Sequence, residues 1–166
     1  MRVLQPFFRI LITLLVLVIV LPLPAQAASS AAVRAFDDVN ITAKNYANQD
    51  LTRAEFSNAK LKGVNFSGAD LRGAVFNGSV LTNANLHGVD FSDGIAYLSD
   101  LTGADLSDAI LTSAMLLKSN FRDATVTGAD FSYAMLDRQQ VLFLCKSASG
   151  TNPITGIDTR ESLGCP

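Results

Sequence analysis

Cys145 and Cys165 are the residues of this chain with the clearest chemical potential, and they are its only cysteines. A metal site needs more ligands than two thiols, and the pair lacks the C-x-x-C spacing of a redox motif. In an exported protein two cysteines typically form a structural disulfide, so we expect a Cys145–Cys165 bond. A regulatory disulfide and two free thiols remain the alternatives.

No group of residues has the spacing typical of a catalytic site. The single histidine, His87, falls at an outward turn position, where a solvated imidazole is the expected interpretation. Nothing in the sequence pairs a nucleophilic side chain with a base, and neither G-x-G-x-x-G nor a phosphate-binding loop occurs. We therefore predict no enzyme activity, no catalytic residue, no cofactor and no metal centre.

Carboxylates nevertheless recur at a fixed interval of twenty residues, in a column formed by Asp50, Asp70, Asp90, Ile110 and Asp130. If residues twenty apart stack in space, the first three carboxylates lie roughly 5 Å apart and repel unless they are paired or bind a cation. A weak Ca²⁺ or other cation strip is one interpretation. The interpretation that we prefer is a set of solvated carboxylates partly balanced by Arg53 and Arg72.

An internal repeat of five residues underlies this column. From Ile41 to Leu136 a large side chain, mostly Leu or Phe, occupies every fifth position for twenty units, and a small residue usually lies two positions before it. A period of five belongs neither to a helix nor to a plain strand. It indicates two inward positions per unit around a common axis, so the repeat predicts an all-β solenoid. Ala96 alone is small in the large column, so its neighbours must close the gap or the coil is distorted there.

The turn residues predict the shape of each coil. Gly, Asn or Asp follows two positions after the large residue in thirteen of the twenty units. These residues tolerate positive φ, so each unit is a very short strand and a corner. Four corners of about 90° close a coil of twenty residues, and coils stack at roughly 4.8 Å. We name the faces by their first large residue: Ile41 (first), Tyr46 (second), Leu51 (third) and Phe56 (fourth).

The pattern A-[DN]-[LF]-x-x is explicit at Ala69–Gly73, Ala84–Gly88, Ala104–Asp108 and Ala129–Tyr133. It closely resembles the pentapeptide-repeat family, over residues 41–136. The resemblance implies a right-handed quadrilateral β-helix, here of about five coils. In the leader pattern of its first 27 residues and its cysteine-containing tail, the chain is similar to the thylakoid-lumen branch of that family.

The first 27 residues are a different kind of segment. Arg2 and Arg9 give a positive start, an uncharged stretch follows at Ile10–Leu21, and the A-x-A tripeptide Ala25–Ala27 closes the segment. This pattern is typical of a secretory signal peptide, and residues 28–40 then form an N-terminal lead-in or cap. An uncleaved membrane anchor is the alternative, but a span needs about 20 residues. Without the leader, eleven Lys and Arg face fifteen Asp and Glu, a net charge of −4 that gives no basic footprint for nucleic acid or membrane.

The tail, Asp137–Pro166, leaves the repeat. Capping-box patterns at Asp137–Gln140 and Asp158–Glu161 predict two short helices, the second ended by Gly164. Residues 147–153 are rich in small polar residues and predict a loop. We expect the helices to form a cap that covers the apolar cross-section and the unpaired edge of the last coil.

The fourth face carries outward apolar residues where the other faces are mainly polar. A contiguous apolar strip on a polar rod commonly marks an interaction surface. Cover by the chain's own Ala28–Asp38 segment, or no role at all, are the alternatives. The candidate interaction strip consists of Val75, Ile95, Tyr97, Leu98, Met115, Leu117 and Met135.

The sequence favours an exported, non-enzymatic binding or scaffold module of the thylakoid lumen or periplasm. Its expected partner is an unknown protein or a second copy of the chain, with no nucleic acid and, after signal cleavage, no membrane. One alternative is a DNA-mimicking inhibitor of a type II topoisomerase, an activity known within the resembling family. The other is a redox-regulated protein that uses Cys145 and Cys165.

Overall fold

The computed structural model describes residues 45–166. The predicted signal peptide, the lead-in of residues 28–40 and the first repeat unit at Ile41 lie outside the described residues and stay predictions. Within residues 45–166 no helix is long and apolar enough to cross a membrane.

The repeat region winds into stacked coils with a period of twenty residues. Isolated parallel β-bridges, rather than longer strands, connect each coil to the next on all four faces. On the first face Val80 is bridged to Lys60 in the coil below and to Asp100 in the coil above. The N–H of Val80 donates to Ala59 O at 2.9 Å, and the N–H of Leu81 donates to Asp100 O at 2.8 Å. The predicted twenty-residue period is confirmed, whereas the handedness and the count of five coils stay predictions.

Both predicted inward columns are buried. Every large-column residue from Leu51 to Phe131 and every small-column residue from Ala54 to Ala129 is buried. Aromatic rings stack along the axis, and the centroids of Phe56 and Phe76 lie 4.8 Å apart in nearly parallel planes. Each buried Leu or Phe contributes roughly 1.5–3 kcal/mol of transfer free energy, so the stacked core is the main stabilising term.

Ala96 is accommodated by a neighbour on the third face. The ring of Phe91 leans over Gly94, where an added Cβ would lie 2.3 Å from a ring carbon. A cavity of about 20 Å³ remains between these residues and the large side chains of the adjacent coils. The gap predicted at Ala96 is thus mostly closed by Phe91, because Gly94 leaves room for that ring.

Every corner between residues 48 and 133 has a residue with positive φ, between 55° and 72°. The prediction for Gly, Asn and Asp corners is therefore confirmed. Five further corners adopt the same conformation without a favourable residue type: Arg53, Leu98, Ser113, Lys118 and Tyr133.

Helix α1 (Arg138–Leu144) begins with the predicted capping box. Asp137 Oδ1 accepts from the N–H of Gln140 at 2.9 Å, and Gln140 Oε1 accepts from the N–H of Asp137 at 2.7 Å. The side-chain amide of Gln140 also donates to Leu116 O and Ser119 O, both at 2.8 Å. Leu144 of α1 is buried in the same core as the coils. Helix α1 is therefore fixed to the last coil by both polar and apolar contacts.

The rest of the tail returns across the second and third faces. The side-chain amide of Asn152 donates to Asp108 O at 3.1 Å and to Gly128 O at 2.9 Å. Helix α2 (Thr159–Ser162) begins at Asp158, whose carboxylate accepts from two backbone N–H groups. The structure records no return bond from Glu161, so the second predicted capping box is half formed. The loop predicted at residues 147–153 packs against the coils through the buried side chain of Asn152.

Candidate functional site

The fold assembles the predicted apolar strip from residues that are far apart in sequence. Parallel bridges join Val75 to Ile95, Ile95 to Met115 and Met115 to Met135, with Glu55 at the base of the column. The first three side chains are half-buried and Met135 is exposed. A continuous apolar column therefore runs up the middle of the fourth face.

Larger side chains border this column. Tyr97 and Leu117 are half-buried, and Leu98 is 56% exposed. The Nζ of Lys118 lies 5.6 Å from the centroid of the Tyr97 ring, within the range of a cation–π contact. Tyr133, which the sequence analysis missed, is 87% exposed two residues before Met135. Its position at a corner of the fourth face was the available signal.

Backbone strain is concentrated at the corners of this same face. The five corner residues that are neither Gly, Asn nor Asp, named above, all lie immediately before or after fourth-face segments. Corners elsewhere in the described repeat carry only Gly, Asn or Asp. An ordinary residue in the left-handed region costs of order 1–3 kcal/mol, and such strain clusters at functional sites. Within the described repeat, the fourth face is thus the one face that has such residues at both of its corner columns.

The Asp column serves the turns of its own coil. Asp50 Oδ1 accepts from the N–H and hydroxyl of Thr52, and Asp90 Oδ1 does the same with Ser92. Such bonds to the residue two positions on are the usual role of Asp in turns. None of the described residues forms a group of three His, Cys, Asp or Glu suited to a metal ion.

Charge balance in this column comes from Arg72. Its guanidinium donates to both carboxylate oxygens of Asp70, at 2.8 and 2.6 Å, and lies 3.9 Å from Asp90. This contact lowers the pKa of Asp70 below its usual value. Arg53 makes no ion pair within the described residues, so its share in the charge balance stays a prediction.

Asp130, at the top of the column, differs from the first three carboxylates. It is only 2% exposed. The reason is helix α2, which lies over this face and whose Ser162 Oγ accepts from the N–H of Phe131 at 3.0 Å. The tail therefore buries this carboxylate, which still accepts from the N–H of Ser132 in its own turn at 2.8 Å.

His87 contacts the hydroxyl of Ser107, which lies twenty residues further along the chain. Its Nδ1 lies 2.9 Å from Ser107 Oγ, and that hydroxyl donates to Asp105 Oδ1 at 2.6 Å. A serine hydroxyl has one hydrogen, and here it points at the carboxylate. Nδ1 of His87 is consequently the donor in this exposed contact and does not act as a base toward Ser107.

Cys145 and Cys165 are bonded in the structure, with their Cα atoms 5.6 Å apart. The guanidinium of Arg160 donates to Cys145 O at 2.7 Å and to Pro166 O at 3.3 Å. The bond and the arginine together tie the end of α1 to the segment after α2. Formation of this bond in the cell stays a prediction.

The bridges, the buried columns and the positive-φ corners define a repeat protein built on a β-solenoid. A family model for pentapeptide repeats matches the chain in eight copies, over residues 45–68, 59–94 and 99–128. A pentapeptide repeat protein of the Arabidopsis thaliana thylakoid lumen, known from its crystal structure, is 32% identical, with 72% of this chain and 90% of that chain covered and a TM-score of 0.30. The chain belongs to the pentapeptide-repeat family.

Two other similarities are more limited. The thylakoid lumenal protein TL20.3 of Arabidopsis thaliana is 62% identical over 40 residues, and the match spans only 14% of its length. The plasmid-mediated fluoroquinolone resistance protein QnrB1 is 19% identical, with 61% of this chain and 71% of that chain covered and a TM-score of 0.25. At such TM-scores and coverage, neither likeness transfers an activity.

Proposed function

We propose that this chain is an exported, non-enzymatic binding module whose fourth face docks a protein partner in the thylakoid lumen or the periplasm. In this proposal residues 1–27 are removed as a signal peptide and residues 28–40 lead into the coils. Residues 41–136 then form a right-handed quadrilateral β-helix of about five coils, and residues 137–166 cap it. The lumenal location is supported by the relatives found in the Arabidopsis thylakoid lumen and by the leader pattern at the N-terminus.

One observation carries the choice of face. The fourth face carries a column of four outward apolar residues and has unfavourable positive-φ residues at both of its corner columns. The first and third faces each share only one of those corner columns and carry a single outward apolar residue, Val80 and Ile110 respectively. A corner that only turns the chain is best served by Gly or Asn, as most corners here are. Leu98 and Tyr133 instead hold large exposed side chains in that strained conformation, which supports selection for contact rather than for stability.

The two alternatives find less support in the described residues. A DNA mimic needs an accessible array of negative charge, whereas Arg72 neutralises Asp70 and the tail buries Asp130. A redox role requires that opening the Cys145–Cys165 bond change a binding surface. That bond lies in the cap, and the strip of the fourth face is held by bridges between coils.

The test removes the apolar centre of the strip. The double substitution Ile95→Asn with Met115→Asn should weaken partner capture from the isolated compartment, or self-association in sedimentation, because two half-buried apolar contacts are lost. The matched control is Val80→Asn with Ile110→Asn, which changes outward bridge residues on the first and third faces. Thermal unfolding of both variants shows whether each has folded.

The control should lose a similar amount of β-propensity and keep its associations. The proposal is wrong if the fourth-face variant and the control capture partner proteins and self-associate equally well. The fourth face would then have no binding role.

A further inference from the structure

The cap leaves part of the last coil uncovered. Gln140 occupies the carbonyl groups of Leu116 and Ser119, where the first face begins. On the second face the N–H of Gly128 donates to Ser149 O at 2.8 Å. Between these two contacts lies the first-face edge of the last coil, residues 120–124.

The hydrogen bonds that join the coils stop at this edge. One coil lower, the N–H of Leu101 donates to Asn120 O and the N–H of Gly103 donates to Arg122 O, both at 2.8 Å. The equivalent N–H groups of Phe121 and Asp123 have no acceptor among residues 45–166. An unpaired pair of donors at this spacing is a template for an added extended segment.

A groove lies beside the same edge. It measures about 290 Å³ and lies between the last coil and helix α1, with Phe121 and Phe143 as its apolar walls. Phe143 is 41% exposed although it lies on the cap helix. This volume is close to the lower limit of ligand-binding clefts, roughly 300–1,000 Å³. It fits a side chain or a short segment rather than a folded domain.

Neighbouring residues define which side chains an added segment would carry. If the added segment follows the stacking of the coils, its inward residue lies above Phe121 and its next residue lies above Arg122. Arg122 is exposed and has no ion pair within the described residues. The residue of the segment above Asp123 would stand as Gly128 stands above Asp108. An added Cβ at Gly128 would lie 2.1 Å from a carboxylate oxygen of Asp108, so glycine suits this position. An acidic residue followed by glycine meets both conditions.

We propose that the first-face edge of residues 120–124 binds an extended segment of a partner protein with the pattern apolar–acidic–glycine. The apolar side chain enters the groove between Phe121 and Phe143, and the backbone accepts from the N–H groups of Phe121 and Asp123. The occupant is a partner and not a second copy, because the pattern is absent from this chain. Its only acidic residue followed by glycine is Asp93, which Ser92 precedes. This site is separate from the fourth-face strip and does not depend on it.

The probe is a fluorescein-labelled peptide, Ser-Asn-Leu-Glu-Gly-Ala, titrated with the full chain in a fluorescence anisotropy assay. We expect saturable binding that Arg122→Glu weakens by about tenfold or more, since an attractive charge contact becomes repulsive. A peptide with Lys in place of Glu should recover binding to that variant. Arg53→Glu is the matched control, an exposed arginine without an ion pair in the described residues.

Amide hydrogen exchange locates the peptide. Binding should slow exchange at Phe121 and Asp123 and leave the fourth-face amides unchanged. The proposal is overturned by absence of binding at millimolar peptide, by equal binding to Arg122→Glu, or by exchange at these two amides that is already slow without peptide. In the last case, dependence on protein concentration identifies a second copy as the occupant, and independence identifies the chain's own N-terminal residues.

Discussion

At the scale of single residues, glycine at the corners has a second role besides positive φ. In four places the side-chain oxygen of Asn or Asp occupies the position where a Cβ of the glycine one coil above would lie, at 2.1–2.7 Å. The pairs are Asn48 with Gly68, Asn58 with Gly78, Asn83 with Gly103, and Asp108 with Gly128. An added side chain at any of these glycines would therefore displace the Asn or Asp side chain one coil below.

Gly103→Ala tests this constraint. The added Cβ would lie 2.3 Å from Asn83 Oδ1, so the exposed Asn83 side chain must rotate away, and we expect an extra destabilisation of about 0.5–1.5 kcal/mol. Gly88→Ala is the control, because Gly88 has a similar φ and nothing within 4 Å of its added Cβ. Chemical denaturation measures both free energies of unfolding. Equal losses in the two variants, or no recovery on adding Asn83→Gly, would show that the contact is not limiting.

Leu98 gives the opposite expectation. It has φ of 57° and is 56% exposed, so Leu98→Gly should raise the midpoint of thermal unfolding. The left-handed conformation costs an ordinary residue roughly 1–2 kcal/mol, and the substitution removes this cost. The greater backbone entropy of Gly in the unfolded chain cancels about half of the stability gained. If the fourth face binds a partner, the same variant should bind it more weakly. A variant that loses stability would instead show that Leu98 packs on the rod.

At the scale of elements, two buried amide side chains attach the tail to the last coil. Gln140 uses its oxygen in the capping box of α1 and both amide hydrogens on carbonyl groups of the coil. Asn152 plays the same role under the second face. Neither residue belongs to the repeat. The tail therefore binds the backbone carbonyl groups of the coils and does not continue their side-chain pattern.

Gln140→Ala should destabilise the protein by about 1–3 kcal/mol, because two buried carbonyl groups lose their donors. Gln140→Glu separates the two roles, since its carboxylate can still accept in the capping box but cannot donate to Leu116 and Ser119. We expect it to be as harmful as the alanine variant. Gln139→Ala is the control at an exposed neighbour. Thermal unfolding of the three variants is the measurement, and a neutral Gln140→Glu would contradict the donor role.

At the scale of the whole molecule, the tail protects one end of the solenoid. Leu144, Ala148 and Leu163 join the core of the coils, and the Cys145–Cys165 bond closes the segment that carries them. A disulfide across about 20 residues contributes perhaps 3 kcal/mol in the loop-entropy model. The tail therefore covers apolar surface at this end and binds part of its backbone edge, while residues 120–124 are among the positions left open.

Deletion of Asp137–Pro166 should convert the protein into end-to-end oligomers, because it bares the last coil and its backbone groups. Light scattering coupled to size exclusion measures the mass as a function of concentration. The control is Cys145→Ser with Cys165→Ser, which removes the bond and keeps the contacts of Gln140 and Asn152. A truncated chain that stays monomeric at high concentration would contradict the capping role.

The sequence by itself determined the period, the inward columns, most of the corners and the start of α1. These features depend on local residue preferences and on contacts between residues twenty positions apart. Both are visible in the sequence as a regular period. The apolar strip was predictable for the same reason, because Ile95 and Met115 differ by one period. The disulfide pairing needed only two cysteines.

Only the tertiary structure decided where the aperiodic tail meets the coils. The contact of Asn152 with Asp108 spans 44 residues, the burial of Asp130 depends on α2, and the open edge at Phe121 depends on where α1 begins to cross the coil. No periodicity connects these residues, so their contacts follow from packing rather than from pattern. The same holds for Phe91, whose ring leans over Gly94 beside the gap left by Ala96.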